Sequence, residues 1–309
     1  MKKSSLSTST SEPELNPAAQ RLLAYLDERC AVLKGALNSA TAYYAVEGIH
    51  NLRVEIKRMR ALYKLLDYTL PSFTHKPSAQ SLRDLFRAAG KLRDTDIFQA
   101  ATLPHLKRLD LREYFNQLKH DELQYRDDFQ EVASDFSDRV LGKSRQQISS
   151  ALTIITENRM RKRMRKRIRR LDEKLRKLMQ ANDAASDHLH AVRKISKELK
   201  YSLDLWQKCF GAGRTVARAA NELKKTYGFL GEWHDIMLAL ASVGDFLKPK
   251  NRVGLADPFA YEKFQFDLRG GAAQLLKSYE RGKGPLENSL ERLNSSLRAQ
   301  RQRQGASTR

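Results

Sequence analysis

Ile49-His50-Asn51-Leu52-Arg53-Val54-Glu55-Ile56-Lys57-Arg58-Met59-Arg60 returns later in the chain as Leu189-His190-Ala191-Val192-Arg193-Lys194-Ile195-Ser196-Lys197-Glu198-Leu199-Lys200. Both copies place an arginine three residues after the histidine, a lysine seven after it and a base ten after it. At about 100° per helical residue, His50, Arg53, Lys57, Arg60 and Lys64 share an arc of about 80°. Leu52, Ile56, Met59, Tyr63 and Leu66 gather on another face, and Val192, Ile195, Leu199, Leu203 and Trp206 do so in the second copy. Each segment is predicted to be a helix that buries one side and shows cations on another. A solvated face needs charge but no particular spacing. The same spacing twice implies a shared ligand geometry or a shared ancestry.

The repeat extends further. Ala89-Gly90-Lys91-Leu92-Arg93-Asp94 matches Leu230-Gly231-Glu232-Trp233-His234-Asp235, offset by 141 residues against 140 for the histidines. A nearly constant offset across two helices and a loop points to a duplicated bundle. The two glycines are expected to permit close helix packing. Asp94 and Asp235 are expected to pair with a neighbouring base and hold it in place.

Helical periodicity covers 16–39, 44–69, 77–102 and 105–134, with Asn16 as cap, Pro17 in the first turn and breaks at Pro71-Ser72, Pro77 and Pro104. It resumes through 140–182, 186–209, 214–247, 257–282 and 287–303, punctuated by Gly211-Ala212-Gly213, Asp257-Pro258 and Gly282-Lys283-Gly284-Pro285. The predicted fold is all-α: a duplicated bundle of long antiparallel helices. The expected division is a flexible arm at 1–15, a first bundle at 16–137, a second at 138–303 and a flexible tail at 304–309.

Composition limits the function. The 309 residues hold 57 Lys plus Arg against 36 Asp plus Glu, a net charge of +21 and a pI near 10.0. A polyanionic partner is the first expectation. With 41% hydrophobic residues the chain can still build cores, unlike a disordered basic protein. Cys30 and Cys209 are isolated and suggest neither a disulfide framework nor a zinc site, which fits a reducing cytoplasm. The basic start lacks the apolar run of a signal peptide, and no stretch approaches the ~20 apolar residues of a membrane span.

No cofactor or metal is expected. His188 and His190 point to different helix faces, and no carboxylate completes a ligand set. Gly142-Lys143-Ser144 lacks the preceding strand and the earlier glycine of a phosphate-binding loop, since Ser137 stands there. The histidines have no acid–base partner or nucleotide motif beside them, so catalysis is not expected.

The two histidine segments and their glycine counterparts resemble the signature of the CHAD family, the conserved-histidine α-helical domain, over nearly the whole chain after residue 15 (16–303). That resemblance implies two four-helix bundles related by an internal pseudo-twofold duplication, with a basic channel between them that binds inorganic polyphosphate, and a binding or granule-targeting role. It assigns His50, Arg53, Lys57, Arg60, His190, Arg193, Lys197 and Lys200 to the ligand. Lys64, Arg83, Arg87, Arg93, Lys224 and Lys225 are added from the same or facing helices. The copies differ at Arg58, whose counterpart is Glu198, and at Lys64, whose counterpart is Asp204, an acid that would repel phosphate. Nothing in the chain is left to encode a triphosphate-processing domain.

These side chains suit such a ligand. A linear polyphosphate offers charged oxygens in every direction, which Arg meets with a planar fork and Lys as a mobile point charge. Residues at i, i+3, i+7 and i+10 climb about 15 Å along a helix. Enclosure between two helices would exclude water and strengthen each contact, and would admit a slim chain but not duplex DNA. His50 and His190, near a reference pKa of about 6.5, are expected to become cationic beside phosphates and to tighten binding as pH falls.

The densest basic run, Arg159 to Arg170, reads as a helix with a seam of Met160, Met164, Ile168 and Leu171. It is either a solvated face extending the positive field or a direct ligand surface. The rival readings are nucleic-acid binding, which lacks a recognition helix, zinc finger or aromatic platform, and an adaptor for anionic granules or membranes built on the amphipathic helix at 157–180.

Overall fold

Asn16 opens the first helix as the sequence predicts: its side chain accepts from the Ala19 amide at 3.0 Å, and Pro17 takes the first position, where a missing N–H costs nothing. The computed structural model describes residues 15–181, 185–211, 213–248 and 256–306. Among these residues there are only helices and turns. The helices are α1 (Pro17–Tyr43), α2 (Val46–Thr69), α3 (Lys76–Thr102), α4 (Arg112–Ser134), α5 (Arg139–Thr153), α6 (Glu157–Gln180), α7 (Ser186–Phe210), α8 (Arg214–Phe246) and α9 (Pro258–Ala306), with a short 3-10 turn at Leu103–His105. The expected arm at 1–15 lies, except for Leu15, outside the described residues. Only 307–309 of the expected tail do, because α9 runs to Ala306.

Neighbours in sequence pack as neighbours in space, α1 on α2, α2 on α3 and α3 on α4, and the same succession holds from α6 to α9. The halves are tied by α2 against α7 and α3 against α8, while α1 also reaches α7 and α6 reaches α2. One continuous core takes residues from both halves, including Leu52, Ile56 and Met59 of α2 and Val192, Leu199 and Trp206 of α7. A smaller cluster around Tyr114, Tyr261 and Phe264 joins α4, α8 and α9.

The carbonyls closing α2 and α7 need partners once buried. Arg163 of α6 donates from Nε and Nη2 to the Tyr68 carbonyl at 3.1 and 2.8 Å. Arg21 of α1 does the same for Cys209, at 2.9 Å. Each cation sits at the negative end of a helix dipole and is supplied by the first helix of the other half.

Three sequence expectations change. The helix expected over 140–182 is broken at Ile154–Thr156: Ile155 is buried and its carbonyl takes the Asn16 side-chain amide at 3.1 Å, and the Thr156 hydroxyl then caps α6 by accepting from Arg159. The helix expected from 105 starts at Arg112, since the chain turns through the 3-10 segment and Leu109 to bury Leu111. The helices expected at 257–282 and 287–303 are one 49-residue helix that passes through Pro285. Tyr279 before the proline and Leu286, Leu290, Leu293 and Leu297 after it are all buried, and this continuous apolar stripe outweighs the lost backbone bond.

Because Pro285 is exposed, replacing it removes the helix penalty without opening a cavity. Pro285→Ala is expected to stabilise the protein by about 1–3 kcal/mol, read as a raised midpoint in urea titration followed by circular dichroism.

Candidate anion-binding site

The two cationic rows lie on packed helices, α2 and α7, and face each other. Among neighbouring charges Lys197 acts most strongly on Lys57, and Arg53 and Arg193 act on it as well. Equivalent residues therefore stand opposite one another. Burial first, and then this mutual repulsion, pulls the Lys57 ammonium down to about 7 and that of Lys197 to about 8. Burial also lowers Arg53, Arg60 and Arg193 from the usual arginine range, with Arg93 adding to the effect on Arg53 and Arg83 to that on Arg60. The Arg193 Nε–H is buried without a hydrogen-bond acceptor. Unpaired and crowded cations of this kind are costly to an empty protein and become favourable once an anion arrives.

Aromatic rings floor both rows, which the sequence reading missed. The Arg53 guanidinium lies 4.3 Å from the centre of the Phe86 ring, with Lys57 at 5.5 Å and Arg60 at 5.6 Å, and Arg53 Nη1 donates to the Phe86 carbonyl at 3.2 Å. In the other half Lys197 lies 5.3 Å from the Tyr227 ring. Phe86 and Tyr227 are themselves 141 residues apart, so the glycine offset carried four residues upstream would have found them. Their faces attract cations and leave the outer charge free for a ligand.

The glycines were expected to bring helix backbones together, and the structure gives a different reason for them. A Cβ on Gly90 would stand 2.6 Å from Arg53 Nη1, and one on Gly231 would meet Arg193 Nε at 3.8 Å. Each glycine leaves room for an arginine of the facing row, tightly in the first half and loosely in the second. The expected direct pairing of Asp94 and Asp235 is also absent among the described residues. Asp94 is raised by burial and still influenced by Arg53, while Asp235 offsets some of the repulsion on His50, Arg53, Arg193 and Lys197.

His50 and His190 stand at the N-terminal ends of the rows. Burial and nearby cations, Arg93 for His50 and Arg193 for His190, favour their neutral forms in the empty site. His234 faces His190 at 5.2 Å between ring centres, and burial, then Arg193, with Lys197 and Lys57 adding to it, pull it to about 4. Beside them Arg93, Asp96, Glu232 and Asp235 line a depression of about 540 Å³ floored by Ile97, Ile236 and Leu275. Asp96 is pushed up to about 6, chiefly by burial, and its Oδ2 has no partner.

At the opposite ends acids are present but engaged. Glu198 takes Lys64 at 2.7 Å and also Arg167, and Asp204 takes Lys200 at 2.6 Å. The two positions at which α2 and α7 carry opposite charge are thus linked: Lys64 faces Glu198 across the halves, and their counterparts Asp204 and Arg58 both act on Tyr25 and Tyr227. Arg58 is bonded to Glu55, which is also held by Arg29 at 3.1 Å. The expected repulsion by Asp204 is therefore muted by Lys200.

The added residues separate. Arg93 acts on His50 and Arg83 on Arg60, which places both beside the first row, while exposed Arg87 lies 3.5 Å from Asp84. Lys224 and Lys225 line a depression of about 710 Å³ with Arg214, Arg218 and Glu222, and Lys225 pairs with Glu222 at 3.0 Å. Met160, Met164, Ile168 and Leu171 form the buried seam of α6 as expected. Among the described residues no cluster of three or more His, Cys, Asp or Glu could hold a metal ion, and no helix is long and apolar enough to cross a membrane.

Comparison with known proteins agrees with this architecture. No curated protein matches the chain. Among solved structures it is similar to the CHAD domain from the plant Ricinus communis, at 17% identity and a TM-score of 0.70 over 91% of this chain and 95% of that one. It is also similar to PptA from Streptomyces chartreusis, at 13% identity and a TM-score of 0.62 over 87% of this chain and all of that one. At these identities the likeness shows the fold alone. The family model described as the CHAD domain matches residues 24–243, which contain both histidine rows and both glycines, and the chain belongs to that family.

Proposed function

We propose that the groove between α2 and α7 binds inorganic polyphosphate without turning it over, and that the protein serves as a targeting or scaffolding module at polyphosphate granules. The observation that carries this reading is the opposition of Lys57 and Lys197, with Arg53 and Arg193 beside them, in surroundings that partly bury all four. A linear polyanion relieves that repulsion along the whole groove. A base-reading protein would instead need side chains aimed at base edges or rings open for stacking, whereas Phe86 and Tyr227 are covered by cations.

Binding to long-chain polyphosphate, duplex DNA and single-stranded RNA, compared across salt concentrations, separates the readings. Polyphosphate is expected to bind tightest at moderate salt, and exchanging His50, Arg53, Arg193 and Lys197 for Ala should weaken it at least about a hundredfold. DNA binding of equal strength that survives those exchanges would refute the proposal. Absence of phosphate release and of phosphohistidine on incubation with radiolabelled polyphosphate is the expected outcome for a binding module.

The two glycines should differ. Gly90→Ala is expected to displace the Arg53 guanidinium and lower polyphosphate affinity by about three- to tenfold, with little change in melting temperature. Gly231→Ala should alter affinity less than twofold, because its Cβ would make only ordinary contact.

Protonation should be linked to binding. Lys57 and Lys197 titrate near 7 and 8 in the empty groove, and a bound polyanion restores their charge, so binding takes up protons. Affinity is then full below about pH 7 and falls about tenfold or more by pH 9, measurable by calorimetry in buffers of different ionisation enthalpy. The lysines act in this window, above the pH range expected for the histidines. For folding the sign is opposite: the penalty of a protonated Lys57 is present below about pH 7 and disappears as pH rises toward 10.5. Lys57→Met should thus stabilise the ligand-free protein at pH 6 by about 2–5 kcal/mol, lose this advantage near pH 10, and bind polyphosphate poorly.

A further inference from the structure

The row of cations on α2 does not stop at Lys64. One turn later Tyr68 occupies the same face, and three arginines of α6 surround its ring: Arg163 at 6.0 Å, Arg167 at 5.7 Å and Arg170 at 5.6 Å from the centroid. Arg163 is fixed there by its two bonds to the Tyr68 carbonyl, and Arg167 and Lys64 converge on the same Glu198 carboxylate. The end of one cationic row is therefore joined to α6 by direct contacts.

From that junction α6 carries a row of its own. Arg159, Arg163, Lys166, Arg170, Lys174 and Lys177 share an arc of about 80° and span about 27 Å along the helix. The buried seam of Met160, Met164, Ile168, Leu171 and Leu175 lies on a different side. Lys166, Arg170, Lys174 and Lys177 are exposed, and none has a carboxylate partner among the described residues. The acid of α6 that borders this face, Glu173, is engaged by Arg169. Residues placed only for solubility would be expected to alternate with acids along the face.

Direction follows from the charges elsewhere. The histidine end of the groove meets Asp96, Glu232 and Asp235 against the single base Arg93, a lining whose acids outnumber its base and disfavour a departing phosphate chain. The corresponding helix of the other half, α1, spends its charges on local pairs: Arg29 with Glu28 and Glu55, Lys34 with Asp138, and Asp27 with Arg145. Among the described residues, only the Tyr68 end opens onto a long unneutralised row.

We propose that this face of α6 is a second anion-binding surface, continuous with the groove, that holds the part of a long linear polyphosphate which the groove does not enclose. This rests on the groove being the polyphosphate site, and it makes the protein a discriminator of chain length: short chains fill the groove alone, and long chains gain the α6 contacts as well.

The test compares tripolyphosphate with chains of about a hundred phosphates on the full-length protein, titrated at several salt concentrations. Lys166→Gln combined with Arg170→Gln, both exposed and remote from the core, should reduce the ratio of long-chain to tripolyphosphate affinity about tenfold. It should also flatten the long-chain salt dependence by about two counterions. A ratio within twofold of the unaltered protein overturns the proposal, as does an equal loss for both ligands, or a selective loss of single-stranded RNA. Lys57→Met distinguishes the underlying reading: if tripolyphosphate binds that variant normally, the groove assignment fails, whatever the α6 exchanges do.

Discussion

Like charges held at close quarters by apolar packing are the constraint on which the rest of this molecule depends. Lys57 and Lys197 would separate if α2 and α7 were free, and the force that opposes them comes from the other sides of the same helices. Leu52, Ile56, Met59, Val192, Leu199 and Trp206 all belong to one core shared by the two halves. Each such side chain contributes about 1.5–3 kcal/mol when buried, so a few of them outweigh the repulsion of a partly neutralised pair. The groove is thus prepared for an anion before any anion is present, and stability is given up for that preparation.

Supporting groups determine how the cations are displayed. Phe86 and Tyr227 accept the inner faces of the bases without removing their charge. Gly90 and Gly231 keep the arginine tips clear of the neighbouring helix. Asp235 lies where it moderates both rows without binding either directly, so a phosphate need not break an ion pair to enter. At the far ends, by contrast, Lys64 and Lys200 are already paired with Glu198 and Asp204.

The legible and the hidden parts of the structure divide along physical lines. Helical class, the buried faces of α2, α6 and α7 and the cap at Asn16 could be read because periodicity and capping are local properties. The spacing of the two rows could be read because it is a repeat. The misplaced helix boundaries are cases in which tertiary burial overrides a local signal: Pro285 looks like a helix terminator until Leu286 through Leu297 are seen in the core, and Ile155 looks like helix interior until Asn16 reaches its carbonyl. The pKa inversion of the lysines was hidden for a related reason. No spacing rule states how close two helices will come, and the repulsion depends on that distance.

The exchange of sign at the two mismatched positions explains how one chain can bring these halves together. If both copies carried Arg at the position of Arg58 and Lys at that of Lys64, the cross-contact made by Lys64 and Glu198 would become a base against a base, repeated on both sides of the pseudo-symmetric pair. With Glu198 and Asp204 in the second copy, the contact on one side is an ion pair at 2.7 Å, and on the other Arg58 and Asp204 share the surroundings of Tyr25 and Tyr227. Two unlike copies in one chain can therefore be attractive at the rim and repulsive at the centre, a combination that two identical copies could achieve only by placing acid and base on each. That division keeps the helices registered while leaving Lys57 and Lys197 unneutralised.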